Sequence, residues 1–181
     1  MSKRAESNLP YPIGQQTPKA DLGATIKRVL KEFEVEIRET KTDIDVVVQP
    51  DDLLKFVTAL RDRKELAFDF LRNIAGVDLM EEGMAVKYHL YSFRHGHSLQ
   101  ITVPTSAGHP KVPSLTSLYR TANWHEREAH EMFGFEFVGH PNLKNLLLED
   151  DLHIHPLLKA HPLQAAEILQ GIESGPPGFN F

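Results

Sequence analysis

The sequence predicts an α+β fold: a two-layer domain whose mixed β-sheet is packed by helices, with an extended N-terminal arm and a C-terminal tail. Three observations point there. Two apolar stripes recur at helical spacing, several short β-branched runs include one clear hairpin, and helices and hairpins are segregated rather than strictly alternating. With 181 residues, 41% of them apolar, the chain suits a single core.

Residues 1–20 carry three prolines and little apolar periodicity, so they read as an arm preceding a domain at 21–143. Leu22, Ile26, Val29, Leu30 and Phe33 form one helical stripe that Asp21 can cap. Short strands are expected at 35–38 and 44–49. Pro50-Asp51-Asp52 then opens a second helix with Leu53, Phe56, Val57 and Leu60 inward. A strand follows at 70–79, and runs at 86–93 and 99–103 flank Arg94-His95-Gly96-His97, a turn whose glycine supplies positive φ. Residues 104–113 read as a loop. A third helix, capped by Ser114 or Thr116, is expected to run to Phe133, where Gly134 stops it. From 144 to 181 the chain reads as a docking tail with one short helix at 163–169. Its terminal Phe179 and Phe181 either meet a partner or fold back on the core.

Residue usage excludes several classes. A net charge of −5 argues against a nucleic-acid groove, because phosphate binding needs clustered Lys and Arg. No stretch approaches the roughly 20 apolar residues of a spanning helix. Residues 1–16 lack the apolar middle of a secretion signal, so the protein is expected to stay where it is made. The absence of cysteine removes disulfides, thiolate metal sites, a cysteine nucleophile and iron–sulfur ligation through Cys.

Along the third helix, at 100° per residue, Leu115, Leu118, Ala129 and Phe133 lie within roughly 40° of Ala122 and define a buried stripe. Glu126 falls inside it. A buried carboxylate must be paired, hydrogen-bonded or protonated. It is either a proton-relay group of raised pKa or half of a structural ion pair with Arg94 or Arg120. The structural pair is the simpler reading, because no second catalytic group stands at a fixed spacing. Trp124 points to nearly the opposite face, and with Arg127 and Glu128 it suits an interface. Alternatively, a loop or the tail covers it within the monomer.

The histidines invite a metal reading. His125 and His130 stand at i and i+5, unlike the i and i+4 of HExxH. His153, His155 and His161, near three acidic residues, are the better metal candidates, on a segment without an apparent scaffold. Gly139-His140-Pro141 reads as a rigid corner with the imidazole on the carbonyls left over after Phe137. No Walker loop, GxGxxG or GxSxG is present.

The run at 123–151, NWHEREAHEMFGFEFVGHPNLKNLLLEDD, resembles the signature of the 30-kDa subunit family of respiratory complex I, also called the C subunit of NADH:quinone oxidoreductase. The matching positions are Glu126-Arg127-Glu128, His130-Glu131, Met132-Phe133, Gly134, Gly139-His140-Pro141 and the basic-apolar segment 143–148. "PSLTSLYRTANW" before it also fits, and the likeness in organisation extends over 22–151. The sequence departs at His130 and Leu152, where the family usually has aromatics, and at 158–161.

The resemblance implies a cofactor-free structural subunit of a peripheral arm on the cytoplasmic side of the membrane. It would sit against the large hydrogenase-like subunit that shapes the quinone pocket and the small iron–sulfur subunit. Iron–sulfur clusters, and FMN or a NiFe centre, would belong to partner subunits of the complex. A homologous subunit of a membrane-bound [NiFe]-hydrogenase or ferredoxin-dependent complex is the alternative. A metal-dependent enzyme using the tail histidines is the reading from another class.

Overall fold

The computed structural model describes residues 19–40, 43–106, 108–149 and 154–160. Expectations for the N-terminal arm before residue 19, for His153 and His161, for the helix at 163–169 and for Phe179 and Phe181 fall outside those residues. Helix α1 (Lys19–Val29) leads into the antiparallel pair β1 (Glu36–Glu39) and β2 (Ile44–Val47), followed by α2 (Pro50–Asp62). Strand β3 (Phe70–Asp78), one 3₁₀ turn, and the hairpin β4 (Met84–Ser92) and β5 (His97–Thr105) come next. The chain then forms β6 (Lys111–Pro113), α3 (Ala122–Phe133) and β7 (Glu136–Val138).

The main sheet has the order β1-β2-β5-β4-β3. Its β2–β5 pair is parallel and the others are antiparallel, so the sheet is mixed as expected. Alternation along the hairpin places Val86, Tyr88, Leu90, Leu99, Ile101 and Val103 on one face, where they are buried with Ile26, Leu53, Phe56 and Leu60 of the first two helices and with Leu30 just after α1. Full burial of each such aliphatic or aromatic side chain contributes about 1.5–3 kcal/mol. Gly96 adopts φ +66° in the hairpin turn.

Three parts of the expected architecture are corrected. The loop at 104–113 ends in a short strand, because β6 pairs in parallel with β7, Val112 opposite Phe137. Three residues closing on a proline carry no readable periodicity, and the pairing is long-range. The third helix begins at Ala122, and Ser114 and Thr116 do not cap it. Residues 114–121 form turns held by tertiary bonds, Tyr119 donating to the Phe68 carbonyl at 2.7 Å and Thr121 to the Leu71 carbonyl at 3.3 Å. Those bonds fix the segment off a helical path. Helix α1 likewise starts at Lys19, which places Asp21 inside it rather than at its cap.

Helix α3 lies tightly on β3. A Cβ at Gly76 would meet the Phe133 ring at 2.5 Å and Phe135 at 2.9 Å. Glycine is required there for close approach and not for its φ. Gly76→Val is expected to lower stability by about 1–3 kcal/mol through overpacking. Thermal melts should show part of that loss recovered in the Gly76→Val, Phe133→Leu double variant, whereas additive losses would disprove the contact.

Candidate functional site: a helix clamping its flanking segments

Helix α3 carries two buried carboxylates that face different segments. Glu126 is fully buried, on the stripe with Ala122 and Ala129. Its partners are not the arginines expected from sequence. Ser114 Oγ donates to Glu126 Oε2 at 2.7 Å and the Leu115 N–H donates to Oε1 at 2.7 Å. Burial pushes its carboxyl up to about 7, although both donors favour the ionised form. Fully buried Tyr88 lies in the same interior, and desolvation, then the Glu126 charge, drive its phenol well above the ordinary value.

Glu131 was missed as a site by helical-face reasoning, since it points about 180° from Ala122. It is nevertheless 2% exposed, because residues 144–148 fold over it. The N–H groups of Leu146, Leu147 and Leu148 donate to its carboxylate at 2.7, 3.0 and 3.3 Å. Successive backbone N–H groups converging on one anion form a nest, here filled by the chain's own side chain. A sequence signal existed: an acidic residue one turn beyond Arg127, before a polar-apolar loop with no other partner for its amides.

Arg127 completes the clamp. Its Nε donates to the Lys144 carbonyl at 2.9 Å and its Nη2 to the Asn145 carbonyl at 2.5 Å. The guanidinium also lies over the Trp124 ring, 5.6 Å from the centroid. The group read from sequence as facing a partner is therefore engaged within the chain. Trp124 stays 60% exposed, so among the described residues no loop covers it. Glu128 is exposed, as is Leu147 at 66%.

The glycine and histidine positions shape the end of the helix. Gly134 takes the left-handed conformation, φ +82°, and its N–H bonds back to the His130 carbonyl at 2.8 Å. The His155 ring lies 2.8 Å from where a Gly134 Cβ would stand. His155 Nδ1 pairs with the Glu131 carbonyl at 2.9 Å and His130 Nδ1 with the Phe135 carbonyl at 2.8 Å. Of the tail histidines offered for a metal, His155 alone is described, and it packs on the helix end. Gly139 adopts φ +88°, and Pro141 is exposed. His140 Nε2 reaches the Asn123 carbonyl at 3.2 Å while its Nδ1 accepts the Asn142 N–H at 3.0 Å, which defines a neutral tautomer. Its carbonyl partner is thus in the first turn of α3 and not in β7. Desolvation holds this imidazole below the ordinary histidine value.

The chain matches the model described as respiratory-chain NADH dehydrogenase, 30 Kd subunit, over residues 46–167. It belongs to that family. It is 43% identical over 132 residues to the C subunit of NADH-quinone oxidoreductase from Roseiflexus castenholzii, covering 72% of this chain and 76% of that protein. Identity to the same subunit from Citrifermentans bemidjiense is 34%, covering 71% and 80%.

Among solved structures, a trypsin-resistant fragment of Nqo5 aligns with a TM-score of 0.54 at 27% identity, over 67% of this chain and 98% of the fragment. A chain of the membrane-bound sulfane sulfur reductase, an archaeal respiratory membrane complex, shares the fold with a TM-score of 0.70 at 19% identity, over 89% and 96%. As a member of the 30 Kd subunit family of respiratory-chain NADH dehydrogenase, the chain is a subunit that works with partner subunits. Among the described residues no helix is long and apolar enough to cross a membrane.

The clamp gives two expected outcomes. The unfolded chain loses the Glu126 proton near 4.5 and the folded state keeps it to about 7. Stability is therefore fully present below 4.5 and declines as pH rises through that window, by about 3 kcal/mol. Glu126→Gln, which can accept from Leu115 and donate to Ser114, should flatten the melting temperature between pH 5 and 8; a variant as pH-dependent as the parent would refute the assignment. Glu131→Ala should speed hydrogen exchange at the 146–148 amides at least about 10-fold, with unchanged exchange counting against the nest.

Proposed function

We propose that the chain is a positional subunit in the peripheral arm of an NADH:quinone oxidoreductase-type complex and binds no cofactor itself. It holds the large hydrogenase-like subunit that shapes the quinone pocket and the small iron–sulfur subunit in register. Iron–sulfur clusters, and FMN or a NiFe centre, reside in partner subunits of the complex. The chain lies on the cytoplasmic side and meets the membrane only through the complex. It adds no step of its own to electron transfer or proton translocation.

The observation that carries this reading is the clamped surface of α3. Arg127 links an exposed tryptophan to the loop that displays Leu147. Trp and Arg at the centre of a contact are the residues most often responsible for binding energy, and a fixed backbone reduces the ordering cost of docking. Helix α3 is braced from inside by Glu126 and the displayed loop by Glu131, so the surface is presented in one shape. Family membership supports the same reading, since the relatives named above are subunits of oxidoreductase complexes.

The test is affinity purification of the tagged chain from host membranes in mild detergent, with mass spectrometry of the recovered proteins. Iron–sulfur and antiporter-like subunits are expected, and a flavin NADH module or a nickel subunit would name the complex. Recovery of the chain alone would sink the proposal. Trp124→Ala should lower partner recovery by at least about 10-fold, equivalent to 1.4 kcal/mol, while leaving the melting temperature of the purified chain within about 2 °C. Equal loss of fold and assembly would place Trp124 in a structural role.

A further inference from the structure

The two edges of the main sheet are built differently. Strand β1 is four residues long, and its Glu36 and Arg38 are exposed and paired at 2.8 Å. Short, charged edges of that kind discourage pairing with another chain. Strand β3 is nine residues long. Arg72 marks its bulge and Asp78 its end, and the intervening Asn73-Ile74-Ala75-Gly76-Val77 holds no charge and no proline. Among the described residues the backbone of β3 pairs only with β4, and its other edge makes no backbone-to-backbone hydrogen bond. Nothing on that stretch blunts it.

This edge opens onto a groove of about 280 Å³ between β3 and α3. Ile74, Ala129, Met132, Phe133 and Leu157 supply its apolar lining, and Leu157 is fixed there by its N–H on the Met132 carbonyl at 3.1 Å. Glu128 stands on the rim, exposed, and pairs with no cation among the described residues. A row of unpaired backbone donors and acceptors beside an apolar groove selects an extended strand over a helix, because only a strand can extend the ladder. The acidic rim selects a basic residue on that strand.

We propose that the β3 edge over Asn73 to Val77 takes up one extended segment of a neighbouring subunit, with apolar side chains entering the α3 groove and a Lys or Arg meeting Glu128. The proposal rests on the reading of the chain as a subunit of a membrane complex. It adds a second contact to the Trp124 surface. A five-residue ladder spans about 17 Å, long enough to fix the direction of the incoming chain.

The experiment replaces Asn73, an exposed edge residue, by photoreactive p-benzoylphenylalanine in the full chain, with a control at exposed Lys55 on α2. Ultraviolet illumination of the assembled complex should yield an adduct from Asn73, and not from Lys55, with one segment of another subunit. The amides of residues 73–77 should exchange at least about 10-fold slower in the complex than in the purified chain. An adduct with residues 161–181 of the same chain or with a second copy would overturn the proposal. So would no adduct, or equal exchange in both states. In all of those cases co-purification of partners would leave the subunit role standing, whereas recovery of the chain without partners would overturn both.

Discussion

The buried carboxylate of Glu126 is the constraint on which the arrangement around α3 depends. It accepts from Ser114 and from the Leu115 N–H, and so ties the helix to the segment that leaves β6. That tie sets where α3 lies over β3, and the absent side chain of Gly76 lets it lie close. A charge on an apolar face is costly when unpaired. Here two donors and a raised pKa share the compensation, and no arginine is needed.

Once the helix is fixed, its outer side becomes a template for the following loop. Arg127 takes two carbonyls and Glu131 takes three successive amides of the same segment. The polar groups of an irregular stretch are thereby satisfied by one helix, which leaves Leu147 free to face outward beside the exposed Trp124 of the helix itself. Glu126, Arg127 and Glu131 thus act within the chain, and their product is a fixed surface.

The far end of the sheet shows the same economy. His95 and His97 reach the Lys64 and Leu66 carbonyls, and Tyr119 reaches Phe68. The hairpin turn and the approach to α3 therefore both anchor the connection between α2 and β3. The strand they anchor is also the one whose outer edge is open among the described residues. A rigid strand with an unpaired edge, beside a helix with a fixed outer face, is suited to meeting another protein on two adjoining surfaces.

Sequence alone determined the α+β class, the 53–60 stripe, the hairpin around Gly96, the stop at Gly134 and the burial of Glu126. Each is encoded locally, by periodicity or by a glycine whose backbone angle few other residues adopt. The family was legible as well, because its signature is contiguous. The tertiary structure decided the start of α3, the β6–β7 pairing, the partners of Glu126 and the burial of Glu131. Those depend on segments 11 to 51 residues apart meeting in space. A helical wheel assigns directions on one helix, and it cannot assign the chain that later folds over them.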